Sequence, residues 1–212
     1  MSRLVLASGS PQRRAILGDL GLDFDVRVSD VAEEDQGAPR EVAAENAMRK
    51  ALAISAAAGS GSGSGETVLG CDTLVATGQE IADLDRGSAG REASGYEIWG
   101  KPADAAAARA TLRHLAGRTH EVVSGIVLVA GDDVRTATEV TLVTFRALTD
   151  AEIDWYVGCG EWVGRAGGYA IQGRGAVLIN RIEGDYLNVV GLPVAALLGL
   201  RPGLMAEHAA AR

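Results

Sequence analysis

Three stretches of this chain carry residue types that could handle an anion and a water molecule. In the first, Ser8-Gly9-Ser10-Pro11-Gln12-Arg13-Arg14, an apolar run gives way to small hydroxyl residues and then to two arginines. Ser10 reads as a helix N-cap and Pro11 as the first helical residue. A helix start exposes unpaired backbone N–H groups and the positive end of the helix dipole, which together attract phosphate. Ser8, Ser10 and Arg13 would add donors, and a guanidinium can grip phosphate with two parallel hydrogen bonds. A capped helix with a solvated basic face accounts for the same residues, so both readings stand here.

The second stretch is TVLGCDTLVA, residues 67–76, where Asp72 interrupts an apolar β-rich run. Burying such a carboxylate is costly unless it is paired, protonated or bound to a cation. Asp72 is thus either an acid satisfied by a neighbour or solvent, or one ligand of a hard divalent ion. In the second case Glu33 or Glu34, from the acidic loop 33–39, would add oxygen. Lys50 and Lys101 are the only lysines among 20 basic residues. Where arginine is otherwise used throughout, lysine suits a place that needs a compact point charge. The third stretch, GEWVGRAGGYAIQG at 160–173, is rich in glycine, which lets backbone come close to a ligand. Gln172 there can both donate and accept, as the edge of a nucleobase requires. A long loop with turn glycines is the alternative.

These residues need a scaffold that gathers them. Residues 4–7 read as a buried strand, 11–20 as a helix closed by Gly21, and 24–28 as a second strand. Val42, Ala43, Ala47, Ala51 and Ile54 recur at helical spacing over 40–58. A GSGSGSG connector follows at 59–65, with no capacity to pack. Residues 83–96 form a polar, glycine-rich excursion, and 103–116 a helix capped by Gly117. Residues 120–130 and 135–146 suggest a long hairpin, and Thr149 with Glu152 a capping box heading a helix through Val157. A strand is expected over 176–182, a last helix over 193–198, and a frayed tail after Leu204. Alternating strands and helices predict an α/β fold, or α+β around one sheet.

Bulk composition narrows the function. A chain of 212 residues, 47% hydrophobic and 23% charged, suits one globular domain, with the loops at 59–65 and 83–96 as surface features. A net charge of −8 argues against a general nucleic-acid binder, while converging cations could still hold a small anion. Cys71 and Cys159 have no metal-binding spacing and point to a reducing, cytoplasmic setting. The first apolar run is too short for a signal peptide or a membrane span.

Taken in order, the pieces resemble the Maf family of nucleoside triphosphate pyrophosphatases, also called septum-formation-inhibitor-like proteins. The resemblance rests on Leu6-Ala7-Ser8-Gly9-Ser10-Pro11-Gln12-Arg13, Glu33, Lys50-Ala51, Asp72-Thr73, Gly100-Lys101-Pro102 and Ser124-Gly125. It continues with Ala166-Gly167-Gly168-Tyr169-Ala170-Ile171-Gln172-Gly173 and Asn188-Val189-Val190-Gly191-Leu192-Pro193. It implies an inosine triphosphate pyrophosphatase-like fold, two lobes around a cleft floored by a long mixed β-sheet, commonly dimeric. The implied reaction splits a nucleoside triphosphate between the α- and β-phosphates, as house-cleaning of the nucleotide pool.

By the same likeness Asp72, Lys101 and Glu33 are the catalytic residues, with Glu33 and Asp72 placing a divalent metal, Mg²⁺ or Mn²⁺. Ser8, Ser10, Gln12, Arg13, Lys50, Thr73 and Gln172 would bind substrate. Thr73 and Gln172 resemble the subgroup that acts on dTTP and UTP, whereas Gln12 stands where that subgroup usually has arginine. The alternative is a nucleotide-binding regulator of cell division with little turnover.

Overall fold

The computed structural model describes residues 3–57, 65–78 and 95–209. The connector expected at 59–65 and the excursion expected at 83–96 lie almost wholly outside them.

Strand β1 (Arg3–Leu6) runs into helix α1 (Pro11–Asp19), whose N-cap Ser10 accepts a hydrogen bond from Arg13 N. Gly21, at φ 71°, turns the chain into β2 (Phe24–Val26), shorter than its sequence pattern suggested. Helix α2 (Pro39–Ala57) leads to β3 (Glu66–Thr77), and β4 (Glu97–Trp99) precedes α3 (Ala105–Leu115). The hairpin β5 (Thr119–Ala130) and β6 (Asp133–Phe145) is followed by α4 (Asp150–Gly158). Thr149 and Glu152 make the expected capping box at its head. The chain ends in β7 (Ile179–Glu183) and three short helices, α5 (Tyr186–Val190), α6 (Val194–Leu200) and α7 (Leu204–Ala209).

One expectation about the C-terminal third needs correcting. Residues Arg174–Leu178 form a 3₁₀ turn, and the strand expected from 176 starts only at Ile179. Gly175 explains the turn: a Cβ there would lie 2.5 Å from Ala170 O, so the backbone folds onto itself. From Leu204 to Ala209 the chain forms α7, and residues 210–212 of the tail lie outside the described residues. Leu204 is fully buried and Arg201 pairs with Glu207.

The strands make one mixed sheet of seven in the order β2-β1-β3-β5-β6-β7, with β4 also beside β3. Pairing of β1 with β2 and β3 is parallel, and the remaining pairings are antiparallel. Residue parity along β3 sets the layers. Val68, Gly70, Asp72, Leu74 and Ala76 face α2, while Leu69, Cys71, Thr73 and Val75 face the other way. Helix α2 covers its face along most of the sheet. The opposite face is divided between a cluster around α1 and α6 and a second around α3 and α4. No helix among the described residues is long and apolar enough to cross a membrane.

One feature of the sheet prepares the site. Strand β1 pairs with β3 only as far as Leu69, and β4 pairs with it only from Val75. Between them, residues 70–74 of β3 have no neighbouring strand on that edge among the described residues. This gap lies past the carboxyl end of β1, where open α/β sheets place their ligands.

Candidate active site

A cavity of about 590 Å³ opens at this gap. Ser8, Ser10, Gln12, Arg13, Glu33, Lys50, Asp72, Thr73, Lys101 and Gln172 all line it. Every candidate picked out in the sequence therefore reaches one space, brought there by six separate stretches of chain.

Asp72 sits at the centre, 7% exposed and directed at α2. Its Oδ1 accepts from Lys50 Nζ at 2.6 Å and its Oδ2 from Asn46 Nδ2 at 3.1 Å. Both donors lie on α2 at i and i+4, on the same buried stripe as Val42, Ala43, Ala47 and Ala51. Two glycines make their reach possible. A Cβ on Gly70 would lie 2.2 Å from Ala47 O, and one on Gly125 would lie 2.3 Å from Ala43 O. Any larger residue at either place would lift the helix off the sheet. Asn46 was not among the sequence candidates, although its place one turn before Lys50 on the apolar stripe was a usable signal.

The acidic loop is resolved by this same network. Lys50 Nζ also meets Glu33 Oε1 at 2.5 Å, so one ammonium joins Glu33 and Asp72. Glu34 has a different job. Its backbone N donates to Asn46 Oδ1 and its carbonyl accepts from Asn46 Nδ2, while its carboxylate pairs with Arg49 at 2.8 Å. Of the two glutamates left open by the sequence, Glu33 is the one beside Asp72.

Arg13 is buried and engaged with protein oxygens: Nε donates to Gly191 O at 2.8 Å, Nη1 to Ser8 Oγ at 2.8 Å and Nη2 to Thr73 Oγ1 at 3.0 Å. Gly191 follows α5 with φ 130°, a backbone state that favours glycine, and its carbonyl also accepts from Thr73. The Thr73 hydroxyl further bonds Ser124 Oγ at 2.8 Å. Arg13 thus ties the β1–α1 turn, β3 and the end of α5 together, with two of its five N–H groups making no bond among the described residues. Ser10 Oγ donates to Gln12 Oε1 at 3.0 Å, which sets that amide at the head of α1. Cys71, behind Thr73, has its thiol pushed up by complete burial and faces the core.

The opposite wall is made of loops. Lys101 follows β4 and is exposed, as is Gln172. The segment carrying Gln172 is pinned from beneath. Tyr156 Oη accepts from Ala170 N at 2.9 Å, Tyr169 Oη meets His120 Nε2 at 2.9 Å, and Glu161 accepts from Gly175 N. Burial pushes the two phenols up, and burial among aromatic rings lowers His120 to about 3, so the imidazole is neutral.

This arrangement can hold a polyanion beside a fixed carboxylate. Among the described residues, no three acidic, histidine or cysteine side chains gather into a closed metal cage.

The site is thus a buried acid held by lysine and asparagine from one helix, at the gap of a mixed sheet in an α/β protein. Comparison with known proteins gives the family: a model described as Maf-like protein matches residues 3–201, and the chain belongs to that family. It is 41% identical over 202 residues to a dTTP/UTP pyrophosphatase of Deinococcus radiodurans, covering 95% of this chain and 92% of that protein. A dTTP/UTP pyrophosphatase of Pyrococcus furiosus is 38% identical, with 94% of each chain covered. One of Symbiobacterium thermophilum is 42% identical over 196 residues, covering 92% of this chain and 90% of that one.

Proposed function

We propose that this chain is a nucleoside triphosphate pyrophosphatase, cleaving between the α- and β-phosphates to release a monophosphate and pyrophosphate, with dTTP and UTP as its substrate class. The observation that carries the reading is the single cavity in which Asp72, Lys50, Glu33, Arg13 and Lys101 meet. The relatives' names supply the substrate class.

In this reading Asp72 receives the proton of the attacking water, held in place by Lys50 and Asn46. Ser8, Ser10 and the head of α1 present donors to phosphate oxygens. Lys101 offsets charge that builds on the leaving pyrophosphate. Gln172, with Thr73 and Gln12, borders the space left for the base.

The residues present fit a divalent metal. Glu33 Oε1 and Asp72 Oδ1 flank Lys50 Nζ at 2.5 and 2.6 Å, and the carboxylates' remaining lone pairs are hard oxygen donors for a cation beside that ammonium. The lining also sets Glu33, Glu34, Asp35 and Asp72 against Arg13, Lys50, Lys101 and Arg165. With its charges so balanced, the cavity would accept a triphosphate more readily alongside a further cation. Glu33 and Asp72 would hold Mg²⁺ or Mn²⁺, which when bound neutralises phosphate charge.

A nucleotide panel with Mg²⁺ or Mn²⁺ tests the proposal. Monophosphate and pyrophosphate in equal amounts, fastest from dTTP and UTP, are expected. Orthophosphate as first product would overturn it, and tight binding without turnover would favour the regulator. The proposal also includes a cytoplasmic homodimer, and sedimentation of the purified chain reads its oligomeric state.

A further inference from the structure

The four cations that line the cavity divide into two kinds. Arg13 and Lys50 are already engaged, the first by Ser8, Thr73 and Gly191, the second by Glu33 and Asp72. Lys101 and Arg165 have no hydrogen bond or ion pair from their side chains among the described residues.

Arg165 is the less expected of the two. Its side chain is partly buried, and that burial pulls the guanidinium below its ordinary range, offset only in part by Tyr156 and Glu161. A charge taken out of water without a partner costs stability. A cavity wall keeps such a charge at least cost when a ligand brings the opposite one.

Its position is also fixed. Gly167, two residues on, has φ 66° and sits so close to β3 that a Cβ would lie 2.7 Å from Val75 Cγ2. Gly167 N donates to Gly100 O at 3.1 Å. That bond ties the segment carrying Arg165 to the segment carrying Lys101, so both cations enter the cavity from linked backbone.

We propose that Arg165 and Lys101 form an anion clamp for the pyrophosphate end of the nucleotide, which makes Arg165 a substrate-binding residue. The inference rests on the pyrophosphatase reading. Two cations on linked backbone, with no side-chain hydrogen bond or ion pair among the described residues, call for a ligand with several negative charges in a short span. A condensed phosphate has them; a nucleobase has none. The planar fork of Arg165 suits two phosphate oxygens at once, with Lys101 as a point charge beside it.

Calorimetry on the full chain in Mg²⁺, with inorganic pyrophosphate and with UMP as separate probes, tests this. Arg165→Met should weaken pyrophosphate binding about tenfold, the size of a charge-assisted hydrogen bond, and leave UMP within about twofold. Arg165→Lys should retain more pyrophosphate affinity than Arg165→Met. Lys101→Met, at an exposed position, should show the same split between the two probes. Unchanged pyrophosphate affinity overturns the clamp, as does equal weakening of both probes or weakening of UMP alone. So does an equal loss in the lysine and methionine variants. Melting curves matching wild type exclude a folding defect as the cause. Product analysis of wild type tests the reaction separately, so orthophosphate release would defeat the hydrolysis reading while the affinity comparison still judges the clamp.

Discussion

On the wall of the cavity formed by α1 and α2, Arg13 and Lys50 are engaged by protein oxygens, and Asp72 is held from two sides. On the wall formed by the segments around Lys101 and Arg165, the cations make no side-chain hydrogen bond or ion pair among the described residues. Both walls present positive charge, yet they can contribute different things. The first is a preorganised frame whose geometry does not wait for substrate, which is what transition-state stabilisation needs. The second offers charge that a ligand neutralises, which serves affinity and, at Lys101, also meets the charge that builds on the leaving pyrophosphate. Counting cations in the sequence treats all four alike; their partners separate them.

The largest effect tests the frame. Asp72→Asn keeps the shape and a bond to Asn46 or Lys50 but removes the proton acceptor. Turnover should fall by about a thousandfold, within the usual range for losing a general base, with nucleotide binding largely retained. Pyrophosphate release under single-turnover conditions reads it, and activity within tenfold of wild type would remove Asp72 from that role.

A smaller change strikes the frame from behind. Gly125 is opposite Asp72 in the β3–β5 pairing and supports α2 at Ala43. Gly125→Ala must push α2 outward, costing about 1–3 kcal/mol in overpacking and carrying Asn46 and Lys50 away from Asp72. Loss of activity with a lowered melting temperature is expected. A variant with wild-type turnover would show that the reach from α2 is not critical.

The two walls can then be set against each other. Arg13→Met leaves Ser8, Thr73 and Gly191 without their shared donor and should cost about 1–3 kcal/mol of stability, read as a lower urea midpoint. Lys101→Met should leave that midpoint unchanged and raise KM instead. If the two variants behave alike, the division between engaged and open cations is wrong.

The parts of this design that were legible in sequence are those decided locally. Ser10-Pro11 announced the start of α1, Gly21 its end, and Thr149 with Glu152 the capping box, because each acts within one turn of its own helix. The residue types at the site were legible as well, since an acid in an apolar strand has few uses. What stayed hidden depends on distant packing. That Glu33 and not Glu34 joins Lys50 follows from Asn46 gripping the backbone of Glu34, a contact across twelve residues. The engagement of Arg13 follows from Gly191, 178 residues away. The strand expected from 176 was lost because Gly175 must fold against Ala170, which apolar spacing alone does not reveal.

The smallest effect concerns the support beneath the open wall. His120 is fully buried between Phe145 and Tyr169, its Nδ1 has no hydrogen-bond partner among the described residues, and burial lowers it from 6.5 to about 3. Between those two values the unfolded chain binds a proton that the folded chain refuses. Stability is therefore complete above pH 6.5 and falls on acidification toward pH 3. The slope from this one group is at most about 1.4 kcal/mol per pH unit. Carboxylates titrate lower, so the interval from about pH 6.5 to about pH 5 isolates the histidine. Urea midpoints across that interval should decline in wild type and stay nearly flat in His120→Gln, which can still bond Tyr169 Oη without taking a proton. A matching decline in both proteins would mean that His120 is not the group refused its charge. Since Tyr169 borders the cavity, retained base preference in the same variant would show that the other ties, through Tyr156 and Glu161, suffice to hold Gln172 in place.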